Sequence, residues 1–403
     1  MSRHVLITGL GAISAPGLNM PAFWDAVKAG RTAITQLSPA IDDVKIRTAA
    51  QLSGYSPENY FSADELSLLD RYSQLAVIAA REAVKDAGLS DNEAVLGNTA
   101  VIVGSGCCAK HTDEETCEKL YNLQRSRVHP LTIPKGMPSA AASMVSMHLG
   151  IKGPAFVISS ACSSGSHAII QGSSMIQSGL VDVALAGASD APFTYGLLKS
   201  WDALRVVSSD TCRPFCNDRS GLVLGEGAGM LVLESEDHAL KRGARIYAEL
   251  AGSGMSSDAA HITRPDISGI TTAMKNALNH AHLSSSDIDY INAHGTGTEL
   301  NDVTETEAIH RVFGENARNL AVSSTKSTHG HALGASSALE SIVTTLAIYH
   351  GIIPPTANFT IADELCDLDY VPDKSRKQEI FAAISNSFAF GGLNAVIALK
   401  KYS

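Results

Sequence analysis

The chain carries no block of basic residues. Its 31 Lys and Arg are outnumbered by 41 Asp and Glu, for a formal charge of −10, so the electrostatic footprint of a nucleic-acid-binding protein is missing. No apolar run is long enough to span a bilayer, which argues against a membrane protein. The segment Ser2 to Gly11 reads as a strand entering a glycine turn, not as a secretory leader. No proline-rich, serine-rich or charged linker divides the 403 residues into separate domains. The seven cysteines are odd in number and have no framework spacing, which fits a reducing cytoplasm. Neither Cys107-Cys108 nor Cys212 with Cys216 has its ligand set completed by histidines or a second cysteine pair at metal-site spacing, so no metal site is expected.

What is present is a 45% hydrophobic content and 33 glycines, the composition of a large α/β core with many tight turns. The most informative segment runs from Phe156 to Ile170. An apolar, β-prone stretch ends in Ser159-Ser160-Ala161-Cys162, and small residues with helical tendency follow. That pattern places Cys162 on a strand-to-helix turn, at the positive end of a helix dipole. Such a site lowers a thiol pKa from about 8.5 toward neutrality and makes it a nucleophile. A small structural cysteine at a strand end is the alternative reading.

Three downstream segments weigh against that alternative. They are His294-Gly295-Thr296-Gly297-Thr298, Lys326-Ser327-Thr328-His329-Gly330-His331, and Asn386-Ser387-Phe388-Ala389-Phe390-Gly391-Gly392. Each follows an apolar, strand-like run (Ile288 to Ile291, Leu320 to Val322, Ile380 to Ile384). Glycine-rich ends of buried strands are where α/β enzymes build active sites. The chain also echoes itself. Val5 to Gly11 and Ala248 to Met255 both read as strands entering glycine turns, and the helical patterns Ala76–Ala87 and Ile270–Ala281 follow them.

The order Cys162, His294-Gly295-Thr296-Gly297-Thr298, Lys326-Ser327 with Gly330-His331, then Phe390-Gly391-Gly392 resembles the β-ketoacyl-acyl-carrier-protein synthases. The pattern is closest to the elongating type II enzymes. Arg213-Pro214-Phe215 and Gly225-Glu226-Gly227-Ala228-Gly229 match further family segments, and the resemblance covers nearly the whole chain. Starter-type synthases, with Cys-His-Asn, fit less well. Thiolases need a second catalytic cysteine, and the C-terminal half holds only Cys366.

The resemblance implies an α/β thiolase fold: two related halves, residues 1–247 and 248–403, in five αβαβα layers, usually as a tight dimer. It implies an acyltransferase that forms carbon–carbon bonds by decarboxylative condensation with a malonyl thioester. Cys162 would be the nucleophile, and His294 and His331 would steady the enolate as neutral imidazoles. The backbone N–H groups of Cys162 and Phe390 would form an oxyanion hole. Lys326 would be buried and paired with a carboxylate, with Glu305 at the matching position and Glu340 as the second network member. Thr296 and Thr298 would hold the phosphopantetheine arm. No cofactor is implied, because that arm belongs to an acyl carrier protein.

Several departures from the family pattern bear on specificity. Ala389 stands where the gate usually begins with glycine. Cys216 and Ser220 replace two acids, and Leu222 replaces an aromatic. Cys107 aligns with a bulkier residue lining the acyl pocket, which leaves room for a longer or stiffer chain or is offset by repacking. The family's basic carrier-docking stretch is here Asp64 to Arg71, mostly stripped of positive charge. Arg125, Arg127 and Arg205 remain as candidate carrier contacts. This erosion favours a specialised polyketide or polyene pathway with its own carrier protein over housekeeping fatty-acid elongation. The partner subunit would then be an identical copy or a chain-length-factor homologue. A non-catalytic scaffold of the same fold is the alternative class, but such chain-length factors typically lack the cysteine.

Overall fold

The computed structural model describes residues 3–403; Ser2 of the expected first strand lies outside them. Ten strands form the main sheet. They are β1 (Val5–Ser14), β2 (Ala100–Gly104), β3 (Ala155–Ile158), β4 (Val183–Asp190), β5 (Gly227–Ser235), β6 (Ala248–Ser257), β7 (Tyr290–Asn292), β8 (Ala321–Ser323), β9 (Ala382–Ala389) and β10 (Leu393–Lys400). The first five lie in the order β1-β5-β4-β2-β3 and the second five in the order β6-β10-β9-β7-β8. These are the same permutation, and the strand directions match pair for pair: two antiparallel ladders, then two parallel ones. A short antiparallel contact, Leu6 with Glu249 and Ile7 with Ala248, joins the two half-sheets.

The helices that position the site are α1 (Arg71–Asp86), α2 (Ala140–Leu149), α3 (Ser164–Gln177), α4 (Tyr195–Leu204), α5 (Ile267–Ala281), α6 (Glu299–Phe313) and α7 (Gly334–His350). The pair α3 and α7 packs between the half-sheets, with α1 and α2 outside one and α5 and α6 outside the other, which gives the five α-β-α-β-α layers of the thiolase fold. Layer position explains sequence. Helix α7 is buried on all sides up to Ile348, and its first turns are Gly-Ala-Ser-Ser-Ala because a neighbouring backbone lies against them. A Cβ on Gly165 of α3 would sit 2.7 Å from the Ala338 nitrogen. No described helix is long and apolar enough to cross a membrane.

The expected glycine turns are not turns. Strand β1 runs on to Ser14 and β6 to Ser257, with the glycines inside them. A Cβ on Gly11 would lie 2.0 Å from the Ala79 carbonyl oxygen of α1, and one on Gly254 would lie 2.0 Å from the Ala273 oxygen of α5. Both glycines therefore let an outer helix lie directly on the strand, at equivalent places in the two halves. Gly11→Ala is expected to lower the unfolding free energy by about 1–3 kcal/mol, read from the midpoint of urea denaturation. An unchanged midpoint would show that α1 can shift at no cost.

Candidate active site

Cys162 stands on a strained bend. Strand β3 ends at Ile158, Ala161 takes a left-handed φ of 50°, and a short 3-10 turn, Ala161–Ser163, leads into α3. A non-glycine residue in that region costs of order 1–3 kcal/mol and persists only where neighbours enforce it. Here the Ser164 hydroxyl donates to the Ala161 carbonyl at 2.6 Å and accepts from the Ser160 N–H at 2.9 Å. The Ser163 hydroxyl donates to the Leu393 carbonyl at 2.9 Å, which ties the bend to the β9–β10 hairpin. That hairpin turns at Phe390-Gly391-Gly392, both glycines at positive φ. Ala389 is an ordinary strand residue paired with Leu393, so its side chain is tolerated there.

The expectation of a thiol lowered toward neutrality fails in this closed cleft. Burial pushes the Cys162 thiol up to about 11, opposed by the Lys326 charge and by the Phe390 backbone N–H directed at the sulfur. The resting sulfur is therefore protonated.

His294 and His331 lie beyond the ends of β7 and β8. Their rings meet edge to face with centroids 5.6 Å apart. Burial first, then the Lys326 charge, holds both well below the ordinary histidine range, so both are neutral. Hydrogen bonding fixes which nitrogen carries the proton. The Leu333 N–H donates to His331 Nδ1 at 3.1 Å, and the Lys326 ammonium sits 3.3 Å from His294 Nδ1. Both Nδ1 atoms therefore accept, and both protons reside on Nε2.

Lys326 is fully buried and reaches Glu340 Oε1 at 2.5 Å and the His294 carbonyl at 2.6 Å. The expected partner, Glu305, does something else. Its two oxygens accept from the N–H groups of His294 and Gly295, both at 2.8 Å, and from the Asn386 amide at 3.0 Å. Glu305 is a clamp on the His294 loop, and Glu340 is the counter-ion. Burial pushes Glu340 up to about 7 against the pull of Lys326.

Cys162, His294, His331, Thr296, Thr298 and Phe390 all line one cleft of about 390 Å³, and Arg205 stands at its mouth. Lys326, Glu305 and Glu340 lie behind the wall. The Thr296 and Thr298 hydroxyls bond to each other at 2.8 Å. The Phe390 ring stacks on Trp201 at 6.1 Å, and these two join Leu198, Leu222, Leu333 and Cys107 in an apolar cluster beside the cleft. Cys107 does not line that cleft; it lies in the cluster packed against Phe390. Its thiol donates to the buried Asp190 carboxylate at 3.1 Å, alongside the Cys107 and Gly106 N–H groups and the Ser105 hydroxyl. Arg125 and Arg127 are exposed on the segment after residue 118 and do not line the cleft.

Sequence reasoning missed Asn386 as a partner of Glu305, Asp190 beneath Cys107, Trp201 against the gate, and the cleft-lining loop 258–265. Asn386 stood inside a recognised motif and was findable. The loop belongs to no motif.

Two outcomes follow from these environments. With a thiol near 11, alkylation of Cys162 by iodoacetamide should accelerate about tenfold per pH unit between about pH 7 and 9; a plateau in that window would show a resting thiolate. Lys326→Met strands Glu340 and should cost about 3–5 kcal/mol of stability at about pH 8. The loss should shrink toward about pH 6, where a neutral Glu340 needs no counter-charge, and Lys326→Met/Glu340→Leu should recover most of it. Equal loss in the single and double variants would assign the cost to packing.

The chain matches a family model for the β-ketoacyl synthase N-terminal domain over residues 2–239 and one for the C-terminal domain over residues 247–360. It is 48% identical to nodulation protein E of Rhizobium leguminosarum bv. trifolii, over 100% of both chains. It is 38% identical to 3-oxoacyl-acyl-carrier-protein synthase 2 of Staphylococcus aureus strain COL, over 100% of this chain and 99% of that one. A solved structure, the ishigamide ketosynthase/chain length factor, superposes with a TM-score of 0.95 at 36% identity and 100% coverage of both chains. With a cysteine, two neutral histidines and a gated cleft in this fold, the chain belongs to the β-ketoacyl synthase family of carbon–carbon bond-forming acyltransferases.

Proposed function

We propose that the halves 1–247 and 248–403 work as one catalytic unit, the first supplying Cys162 and the second supplying His294, His331 and Phe390. In the first step the Cys162 sulfur attacks the acyl thioester carbonyl. The carbon–sulfur bond to the carrier arm breaks, and the thiol proton leaves with the departing arm sulfur. The oxyanion of that step is held by the Cys162 and Phe390 N–H groups. A malonyl thioester then enters. His294 and His331 donate their Nε2–H to its carbonyl oxygen, so that loss of carbon dioxide leaves a stabilised enolate. Its carbon attacks the acyl group, and the Cys162 sulfur leaves as thiolate and takes a proton from water to restore the resting thiol. Thr296 and Thr298 hold the arm. Lys326, Glu305 and Glu340 position the histidines, and none of them touches substrate.

The observation that carries this reading is the pair of histidines with Nδ1 occupied and Nε2–H free on the wall shared with Cys162. A general base at either position would need a free lone pair facing the substrate, and neither has one. No cofactor has a part in these steps. Cys162 favours the enzyme over a non-catalytic scaffold.

The carrier-borne substrates belong to a specialised polyketide or polyene pathway in our reading, with housekeeping fatty-acid elongation as the second. The free state of all seven cysteines suits the cytoplasm. The partner subunit docks on the β3 edge. None of that strand's four residues is buried, and Met147, on the α2 helix that packs on it, is 69% exposed. A half-open edge beside an apolar surface calls for a second chain. The chain-length factor paired with the solved ishigamide ketosynthase favours a homologue of that kind, with an identical copy as the second reading.

Intact-mass measurement after incubation with acyl- and malonyl-carrier protein tests the mechanism. Cys162→Ala should take up no acyl group. His331→Ala should still be acylated but release carbon dioxide about 10²–10³-fold more slowly. Acylation of the cysteine variant, or equal loss of both steps in the histidine variant, would refute the division of labour.

A further inference from the structure

The backbone of His331 is pinned on both sides. Its N–H donates to the Val223 carbonyl at 2.6 Å, and its carbonyl accepts from the Gly225 N–H at 2.9 Å. The ring is the part left to be oriented, and Nδ1 is where it is held. Two donors reach that atom from the next turn of chain. The Leu333 N–H lies 3.1 Å away, and so does the Ser336 hydroxyl. Leu333 takes a left-handed φ of 50°, which a non-glycine residue adopts only where neighbours enforce it. Its side chain supplies that enforcement, buried with Trp201, Leu222, Leu224 and Phe390. Ser336 is the third residue of α7, and only 1% of it is exposed.

Hydrogen-bond accounting fixes what the hydroxyl does. An N–H cannot accept, so the Leu333 contact requires Nδ1 to be the unprotonated nitrogen. The Ser336 oxygen then faces a lone pair, and its O–H can only donate there. That hydroxyl has no other partner among the described residues. Both distances are 3.1 Å, as for two donors that share one lone pair. His294 differs. Its Nδ1 faces the Lys326 ammonium at 3.3 Å, while no charged group bonds to His331 Nδ1 among the described residues. One imidazole is polarised by a cation and the other by two neutral donors.

We infer that Ser336 is a positioning residue for decarboxylation. Its hydroxyl, donating to Nδ1 beside the Leu333 N–H, holds the His331 ring with Nε2–H toward the cleft. It also draws electron density through the imidazole, which makes Nε2–H a stronger donor to the enolate oxygen. Ser336 touches no substrate, because it stands behind the ring and is not part of the cleft wall. This rests on the enolate-stabilising role proposed for His331.

Carbon dioxide release in a single turnover of pre-acylated enzyme tests it, with malonyl-carrier protein varied. Ser336→Ala should lower the maximal rate about three- to tenfold, the worth of one neutral hydrogen bond, with half-saturation within about twofold. Ser336→Cys fills the same space but offers only a weak S–H donor, so its rate should stay close to that of the alanine variant. A cysteine variant as fast as wild type beside a slow alanine variant would assign the effect to packing and overturn the role. Nitrogen NMR of enzyme labelled at histidine reads the contact itself, with His331→Ala identifying the His331 signals. In Ser336→Ala the His331 Nδ1 signal should move toward that of a lone pair with fewer donors, while the His294 signals stay. An unmoved Nδ1 signal, or an unchanged rate in both Ser336 variants, would overturn the role. The parent reading fails separately. If His331→Ala releases carbon dioxide as fast as wild type, His331 is not the enolate donor; if it is slow and both Ser336 variants are fast, only the assignment of Ser336 fails.

Discussion

A single ammonium group organises this active site. Lys326 is buried with no access to water, and an isolated charge there would be prohibitive. Its position is fixed by what offsets the cost: the Glu340 carboxylate on one side, and the His294 carbonyl and Nδ1 on the other. That contact sets the tautomer of His294 and the partial ionisation of Glu340, and it adds to burial in keeping both histidines neutral. Because Glu340 belongs to the central helix and His294 to a loop of the outer half-sheet, the pair also sets how those layers lie against each other. The unpartnered second oxygen of Glu340 fits a carboxylate that shares a proton near neutral pH.

The other constraint is steric. Each half-sheet must accept helices on both faces, and the site sits where the central pair of helices begins. Small residues at Gly165, Gly334 and Ala338 bring α3 and α7 close enough to place Cys162 and the His331 segment on one wall. The left-handed Ala161 then turns the sulfur into the cleft, and the serines around it hold that bend. The energetic consequence is a protonated thiol. The helix N-terminus and the Lys326 charge favour thiolate, but removal from water opposes it more strongly. In the proposed reaction, nucleophilicity is therefore gained as the proton is passed on during acyl transfer, not stored in the resting enzyme.

Two departures from the family pattern are tied to distant partners. Cys107 is small, and its thiol donates to Asp190. Arg71 is consumed by Glu226, so the stretch that would present basic charge presents none. Each of these changes acts through a partner distant in sequence.

The candidate reacting groups were legible in the chain itself. Cys162 after an apolar run, His294 and His331 in glycine-rich segments, and Phe390 in the gate needed only local pattern, since strand-end chemistry is written in contiguous residues. The duplication was legible as well, in the paired glycine-bearing strands at Val5 and Ala248. The tertiary structure alone decided that those glycines lie within strands, that Lys326 pairs with Glu340 while Glu305 clamps a backbone, that Cys162 rests as a thiol, and that Arg205 but not Arg125 or Arg127 lines the cleft. Those outcomes depend on burial and on contacts between residues up to hundreds apart. A sequence states which groups exist, and only packing sets which of them lose water and what each must then bind.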